Sequence, residues 1–407
     1  MSRTALVAAG SALVISVAAL GAAFLGAKLG LSNHLEEVAL ANLKTSRLGL
    51  AAQQAVLRRQ DYLPVLGSCE MRFKQLNRID NFFASKPTGF RVEPIGQGGN
   101  TDLLIAQTCA ALGPALQGKK LVVIISPEWF FNPRATDAQY AGNFSVEHAL
   151  ATLTSPLLDD RIKQRLAARM AEYPETLRKN SILEQLVPAY KGDIPNAVFV
   201  RKAAYLAAVC YQRVFDISDP LFTWLEFATK RHPPIPAPLT GSGIDWRAAR
   251  EKGEHEFQRM TEGNSLGIRK SIWKKLQAKD QSRLHAFEIS SLKNISTTVE
   301  WEDFAILLEV LRQLDAKPLI LAMPINGRYF QMLGADKQAW EVYYSRLREA
   351  VARCGFPFYD FEEYENDPRF RGYDDLNPEG WLCFDKVADA FYHDRLSEVP
   401  EILRQAL

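Results

Sequence analysis

Tyr62-Leu-Pro-Val-Leu-Gly-Ser-Cys-Glu70 is the stretch on which the fold turns: an apolar run ends in a glycine followed by two small nucleophilic side chains. Residues 63–66 read as a short buried strand, Gly67 permits a sharp turn, and the following residues predict a helix starting near Glu70. α/β enzymes place nucleophiles at such strand-to-helix turns, because the new helix's free N–H groups and positive end stabilise an anion there. Ser68 and Cys69 hold that position. A Gly-Ser-Cys turn alone also fits an ordinary strand-ending loop, so the rest of the chain decides.

Outward from this stretch the same unit recurs. Residues 71–85 predict a helix and 89–95 a second strand, which runs into Gly96-Gln-Gly-Gly-Asn100 and a helix over 101–116. Leu121-Val-Val-Ile-Ile125 is a continuous apolar run suited to a strand buried on both faces, and it ends at Ser126-Pro-Glu-Trp-Phe130. Residues 140–214 read as mainly helical, the Pro-rich piece 232–238 as a loop or seam, and the chain to 292 as polar helices. The α/β pattern then resumes: a helix over 301–314, a strand within 317–324, a helix over 336–353, a short strand at 356–360, and a helix over 384–391 after the loop 366–379. Five strands with crossover helices predict one α/β sandwich on a parallel sheet, interrupted by a helical insertion at about residues 140–295.

Before the first strand, residues 4–27 carry no charge. That run exceeds the ~20 residues a helix needs to cross a bilayer, and the ~7–15 apolar residues of a signal-peptide core, so it predicts a retained anchor. The chain then divides into an anchor at 1–30, a helical stalk at 31–60 and a body at 61–407. Arg3 ahead of the run and the neutralised flank Lys28, Glu36, Glu37 favour a cytoplasmic N-terminus with the body outside.

The 407 residues, 47% hydrophobic and 24% charged, describe a folded globular chain. Forty-nine Lys and Arg against 47 Asp and Glu leave no field to draw nucleic acid, which is excluded as a partner class. Five scattered cysteines show neither a Cys-x-x-Cys pair nor zinc-ligand spacing, so no metal site and no cofactor is expected. Cys109, Cys210 and Cys383 lie among apolar neighbours and are expected to be buried. His148 and His255, in helices with polar neighbours, are expected to face solvent, and His393 to sit at the surface after a helix.

In combination, several stretches resemble the DltD family. They are Leu66-Gly-Ser-Cys-Glu70, Gly96-Gln-Gly-Gly-Asn-Thr-Asp-Leu103, Lys119-Lys-Leu-Val-Val-Ile-Ile-Ser-Pro-Glu-Trp-Phe130, Gly267-Ile-Arg269 with Trp273, Met323-Pro-Ile-Asn-Gly327, and Gly380-Trp381 with Asp385. The resemblance covers essentially the whole chain in order. It implies a single-pass membrane protein whose extracytoplasmic domain is of the SGNH-hydrolase type, on a flavodoxin-like α/β sheet. It also implies a part in D-alanylation of lipoteichoic acid beside a membrane-bound O-acyltransferase (DltB) and an acyl carrier protein (DltC), with the polymer as acceptor.

Carried onto this chain, the family's nucleophilic serine falls on Cys69, with Ser68 before it. A thiolate is a competent acyl acceptor. Gly98, Gly99 and Asn100 fall on the oxyanion-binding loop, and the crevice at the strand ends adds Glu128 and Trp129, and less strongly Asn326 and Gly327. The family's Asp-x-x-His before Gly-Trp is absent: Gly372-Tyr-Asp-Asp-Leu-Asn-Pro-Glu-Gly-Trp381 puts Asp375 at the histidine without a gap, or Leu376 or Asn377 with one, and leaves Asp374 and Asp375 as candidate bases. Three functions compete: acyl transfer through a Cys69 thioester, a non-catalytic scaffold for an O-acyltransferase, and, less strongly, an esterase on acylated glycans.

Overall fold

The computed structural model describes residues 3–34, 50–72, 75–192, 196–229, 239–240 and 243–404. Most of the expected stalk and the Pro-rich piece 232–238 lie outside the described residues.

Helix α1 (Arg3–Asn33) holds the apolar run, and within it Ser11–Asn33, with mean hydropathy 2.0, is long and apolar enough to cross a membrane. Helix α2 (Leu50–Leu57) leads into the sheet. The strands are β1 (Tyr62–Gly67), β2 (Arg91–Gly96), β3 (Lys120–Ile125), β4 (Lys317–Ala322) and β5 (Phe358–Tyr359). All neighbours pair in parallel in the order β2-β1-β3-β4-β5, the flavodoxin-like order, which is consistent with the expected α/β class.

Both faces of the sheet are covered, which is why its strands read as apolar runs rather than as alternation. On one face Leu66, Val123 and Ile320 pack with residues of α4 (Asp102–Leu112), α6 (Glu300–Gln313) and α7 (Glu341–Cys354). On the other, Leu63, Val65, Val122 and Leu319 pack with residues of α3 (Ile79–Ser85) and α8 (Pro378–Tyr392). The residues between β3 and α6 are mainly helical, and a separate small core there joins Leu150, Leu153, Leu183 and Leu186 to Ala204 and Ala208 of α5 (Ala197–Ala228).

The chain order reverses between β1 and β3: one connection from β1 leads to the edge strand β2, and the return passes to β3 on the other side. In open parallel sheets the crevice at that point, outside the strands' carboxyl ends, is where ligands bind. Cys69 follows β1 there, and Glu128 and Trp129 follow β3.

The helix expected from Glu70 does not form. Cys69–Arg72 is a single 3-10 turn and α3 begins only at Ile79. The intervening polar side chains are used for tertiary contacts: Gln75 Nε2 donates to the Leu376 carbonyl at 2.7 Å and Asn77 Nδ2 to the Pro378 carbonyl at 3.2 Å. The turn therefore brings no helix macrodipole to Cys69. Two burial expectations also fail: Cys210 is exposed, and His148 is buried against Thr108 with its pKa lowered by burial to about 4.

Candidate active site

The turn after β1 is built around a buried carboxylate. Glu70, fully enclosed, accepts the Ser68 amide at 2.5 Å and the Ser126 hydroxyl at 2.6 Å, tying the β1 turn to the end of β3. Burial raises its pKa, opposed by those two donors. Ser68 is also buried: its hydroxyl accepts the Trp129 indole N–H at 3.0 Å and lies 3.8 Å from the Cys69 sulfur. Trp129 thus holds the turn in place. Cys69 is half-buried, so of the two nucleophiles the thiol is the one that reaches the crevice.

The glycine loop closes over this sulfur from β2. Gly96 is paired with Gly67 in the register, and a Cβ on Gly96 would overlap the Gly67 carbonyl oxygen, so the two strand ends approach as only glycine allows. Asn100 Nδ2 donates to that same carbonyl at 3.2 Å. Gly99, at φ +100°, presents its backbone N–H to the Cys69 sulfur. Asn143 pins the loop from outside, donating to the Gly98 carbonyl at 3.2 Å and accepting from Gln97. No motif pointed to Asn143.

The thiol's surroundings set its acidity. Burial raises the Cys69 pKa, the Gly99 N–H lowers it, Glu70 raises it, the Ser68 hydroxyl lowers it and Asp374 raises it, for a net rise. At neutral pH Cys69 is a protonated thiol.

The C-terminal loop sorts its two aspartates. Asp374 interacts electrostatically with Cys69, and also with Arg371. Asp375 instead is fully buried, 2.9 Å from Arg269 and 3.4 Å from Gln75, with its pKa raised by burial to about 6. The ungapped alignment that favoured Asp375 opposite the nucleophile therefore lands on a structural ion pair, which gives Gly267-Ile-Arg269 a physical role. Asn377 donates to the carbonyls of Gly267 at 2.8 Å and Pro368 at 2.7 Å, so its amide braces the loop ahead of α8. Asn326 is similarly occupied, donating to Leu266 at 3.1 Å and Gly372 at 2.9 Å and capping Tyr329.

Arg371 is the site residue that sequence reasoning missed. It is buried, donates to the Pro324 carbonyl at 2.6 Å, and pairs with the Glu128 carboxylate. Burial lowers its pKa to about 10, against the pull of Asp374, Asp375, Glu70 and Cys69, so it stays cationic at neutral pH. Arg371 and Glu128 also wall a cavity of about 140 Å³ with Phe131, Asn326, Tyr329 and Tyr373. The only sequence signal was a lone arginine before an aspartate pair.

Each of the five histidines among the described residues is engaged elsewhere or solvent-facing. His34 lies 5.8 Å from the Trp224 ring, His148 meets Thr108, His255 is exposed, His285 meets the Leu333 carbonyl at 2.6 Å, and His393 meets the Thr88 carbonyl at 2.8 Å. Among the described residues no group of three or more His, Cys, Asp or Glu is placed to hold a metal ion.

The sequence matches the family model described as DltD protein over residues 42–393. It is 26% identical over 354 residues to Protein DltD of Bacillus subtilis (strain 168), covering 84% of this chain and 86% of that one. Protein DltD of Staphylococcus aureus (strain NCTC 8325 / PS 47) is 24% identical over 325 residues, 78% of each chain. Protein DltD of Lacticaseibacillus rhamnosus is 22% identical over 348 residues, 82% of this chain and 78% of that one. With some 350 residues matched end to end, around a sheet whose crevice holds the Gly-Ser-Cys turn, this chain belongs to the DltD family.

Proposed function

We propose that this protein is a membrane-anchored acyl-transfer subunit with its SGNH-type domain on the outer side of the membrane, and that Cys69 carries the acyl group. The family resemblance supplies the process: a D-alanyl-type group moves from a DltC-like carrier and a DltB-like O-acyltransferase to a hydroxyl of a surface polymer such as teichoic acid. The observation that carries the reading is the half-buried Cys69 thiol at the mouth of β1 with the Gly99 N–H on its sulfur.

In the first step the Cys69 sulfur attacks the donor's acyl carbonyl. An S–C bond forms, the donor's own bond to that carbonyl breaks, and the thiol proton passes by way of Asp374 to the leaving group. In the second, a polymer hydroxyl attacks the thioester, an O–C bond forms as the S–C bond to Cys69 breaks, and the hydroxyl proton passes to the departing Cys69 thiolate. The oxyanion of each tetrahedral intermediate is served by backbone N–H groups of the Gly98-Gly99 turn, with Asn100 fixing that turn through the Gly67 carbonyl. Thiols attack even when mostly protonated, in proportion to the thiolate present.

The raised pKa of the thiol, with no imidazole engaged beside it among the described residues, favours a second reading: a scaffold that docks the O-acyltransferase and positions carrier or polymer. Polymer acylation in cells carrying Cys69→Ala at normal protein level separates the two. The covalent reading expects its loss; wild-type acylation would leave the scaffold. Release of free acid from a model ester, dependent on Cys69, would point to an esterase instead.

A further inference from the structure

Helix α5 (Ala197–Ala228) is apolar on two sides. One face packs inward, with Ala204 and Ala208 in the small helical core and Phe227 buried. The other presents Phe199, Leu206, Val214, Phe222 and Leu225 to the outside, each 59–75% exposed, with Cys210 exposed between them. Steps of seven, four, four, eight and three residues keep this row on one broad face, an arc of roughly 160°, of a helix about 48 Å long. A second apolar face of this size on a helix is normally covered as well.

The covering is indicated by what adjoins it. The carboxyl end of α1 packs on the carboxyl end of α5: a Cβ on Gly30 would lie 2.7 Å from the Trp224 indole, and Leu31 shares a buried cluster with Ala52 and Phe227. A cleft of about 490 Å³ at this junction is lined by Leu25, Leu29, Ala52, Ala55 and Pro220, with Lys28 its one charged wall. The exposed stripe thus continues from the apolar run that crosses the membrane. Arg201, Lys202 and Arg213 are matched by Asp216, Asp219 and Glu226, so charge does not set the attraction.

We propose that α5 lies in the membrane interface, with the Phe199–Leu225 stripe sunk among the lipid chains next to α1, and that the bilayer itself is its partner. Interfacial helices bury such a face roughly 5–10 Å into the headgroup and acyl boundary. This fixes the body against the bilayer surface. It rests on α1 as the span and is independent of Cys69 chemistry.

The test uses the full chain in phosphatidylcholine vesicles with Cys69→Ser and Cys354→Ser, leaving Cys210 as the exposed thiol for a nitroxide. Labels at Cys210, and separately at Leu206→Cys and Phe222→Cys with Cys210→Ser, are expected to collide severalfold more with oxygen than with an aqueous nickel chelate. A label at Arg353→Cys, a 66% exposed side chain, is expected to do the reverse. Nickel-favoured collisions at the three α5 sites would overturn the proposal. So would exclusion of both reagents, the signature of a second protein copy on this face, or a lipid signature that appears only with anionic vesicles.

Discussion

The two ends of the parallel sheet carry different halves of what a serine-type acyl transferase keeps together. At the carboxyl ends stand a thiol, a glycine loop with its N–H on the sulfur, Asp374 and a buried arginine. At the amino ends stands His393, its ring nitrogens each 2.8 Å from the carbonyls of Asp389 and Thr88, the latter three residues ahead of β2. Six residues of strand separate the ends, about 20 Å at ~3.3 Å per residue. The imidazole cannot serve the sulfur across the core. The nucleophile end is held together by charge pairing and backbone donors, and among the described residues the acidic side chain that interacts there with Cys69 from the C-terminal loop is the carboxylate of Asp374.

The largest expected effect sharpens the role of charge at the carboxyl end. Arg371→Leu removes the cation opposite Glu128 and Asp374 and is expected to cost about 3–5 kcal/mol, as breaking a buried ion pair does, read by denaturant unfolding of the whole chain. A loss below about 1 kcal/mol would show that the pair does not hold the end together.

Asp375 is the next lever, through pH. Its folded pKa of about 6 lies above the usual 3.8, so the folded state binds the proton more tightly than the unfolded chain. Its contribution is then fully present below about pH 4 and is lost as pH rises through about 6, a change on the order of 2–3 kcal/mol. Asp375→Asn is expected to flatten that part of the stability profile. An unchanged slope would mean that Asp375 is not the buried acid that titrates there.

Gly99→Ala addresses the loop over the sulfur. A positive φ and the overlap with Asn143 predict a cost of roughly 1–3 kcal/mol, together with slower alkylation of Cys69 at fixed pH as the N–H leaves the sulfur. The smallest effect is the one most able to break the comparison: His393→Ala is expected to leave Cys69 alkylation unchanged at every pH. A severalfold fall would place the imidazole in the site after all.

Much of this was legible in the sequence for physical reasons. Strands buried on both faces leave continuous apolar runs, so all five strands were placed within about two residues; Gly67, Cys69 and the Gly96–Asn100 turn marked the crevice because close backbone approach needs glycine. Other features were not legible, because they depend on groups far apart in the chain. Arg371 meets Glu128 across 243 residues, and Asn143 grips Gly98 across 45. The helix expected at Glu70 gave way to contacts from Gln75 and Asn77 that span some 300 residues. Apolar neighbours along the chain suggested a buried Cys210, but it is exposed, because an apolar run on one helix does not say which of its faces meets the core.

The most direct measurement is the mass of the intact protein after incubation, in membranes, with acyl donor and partner proteins. One added acyl group is expected, located on the Cys69 peptide, released by hydroxylamine and absent in Cys69→Ala. Polymer acylation proceeding in the same membranes with no adduct on Cys69 at any time point would contradict it.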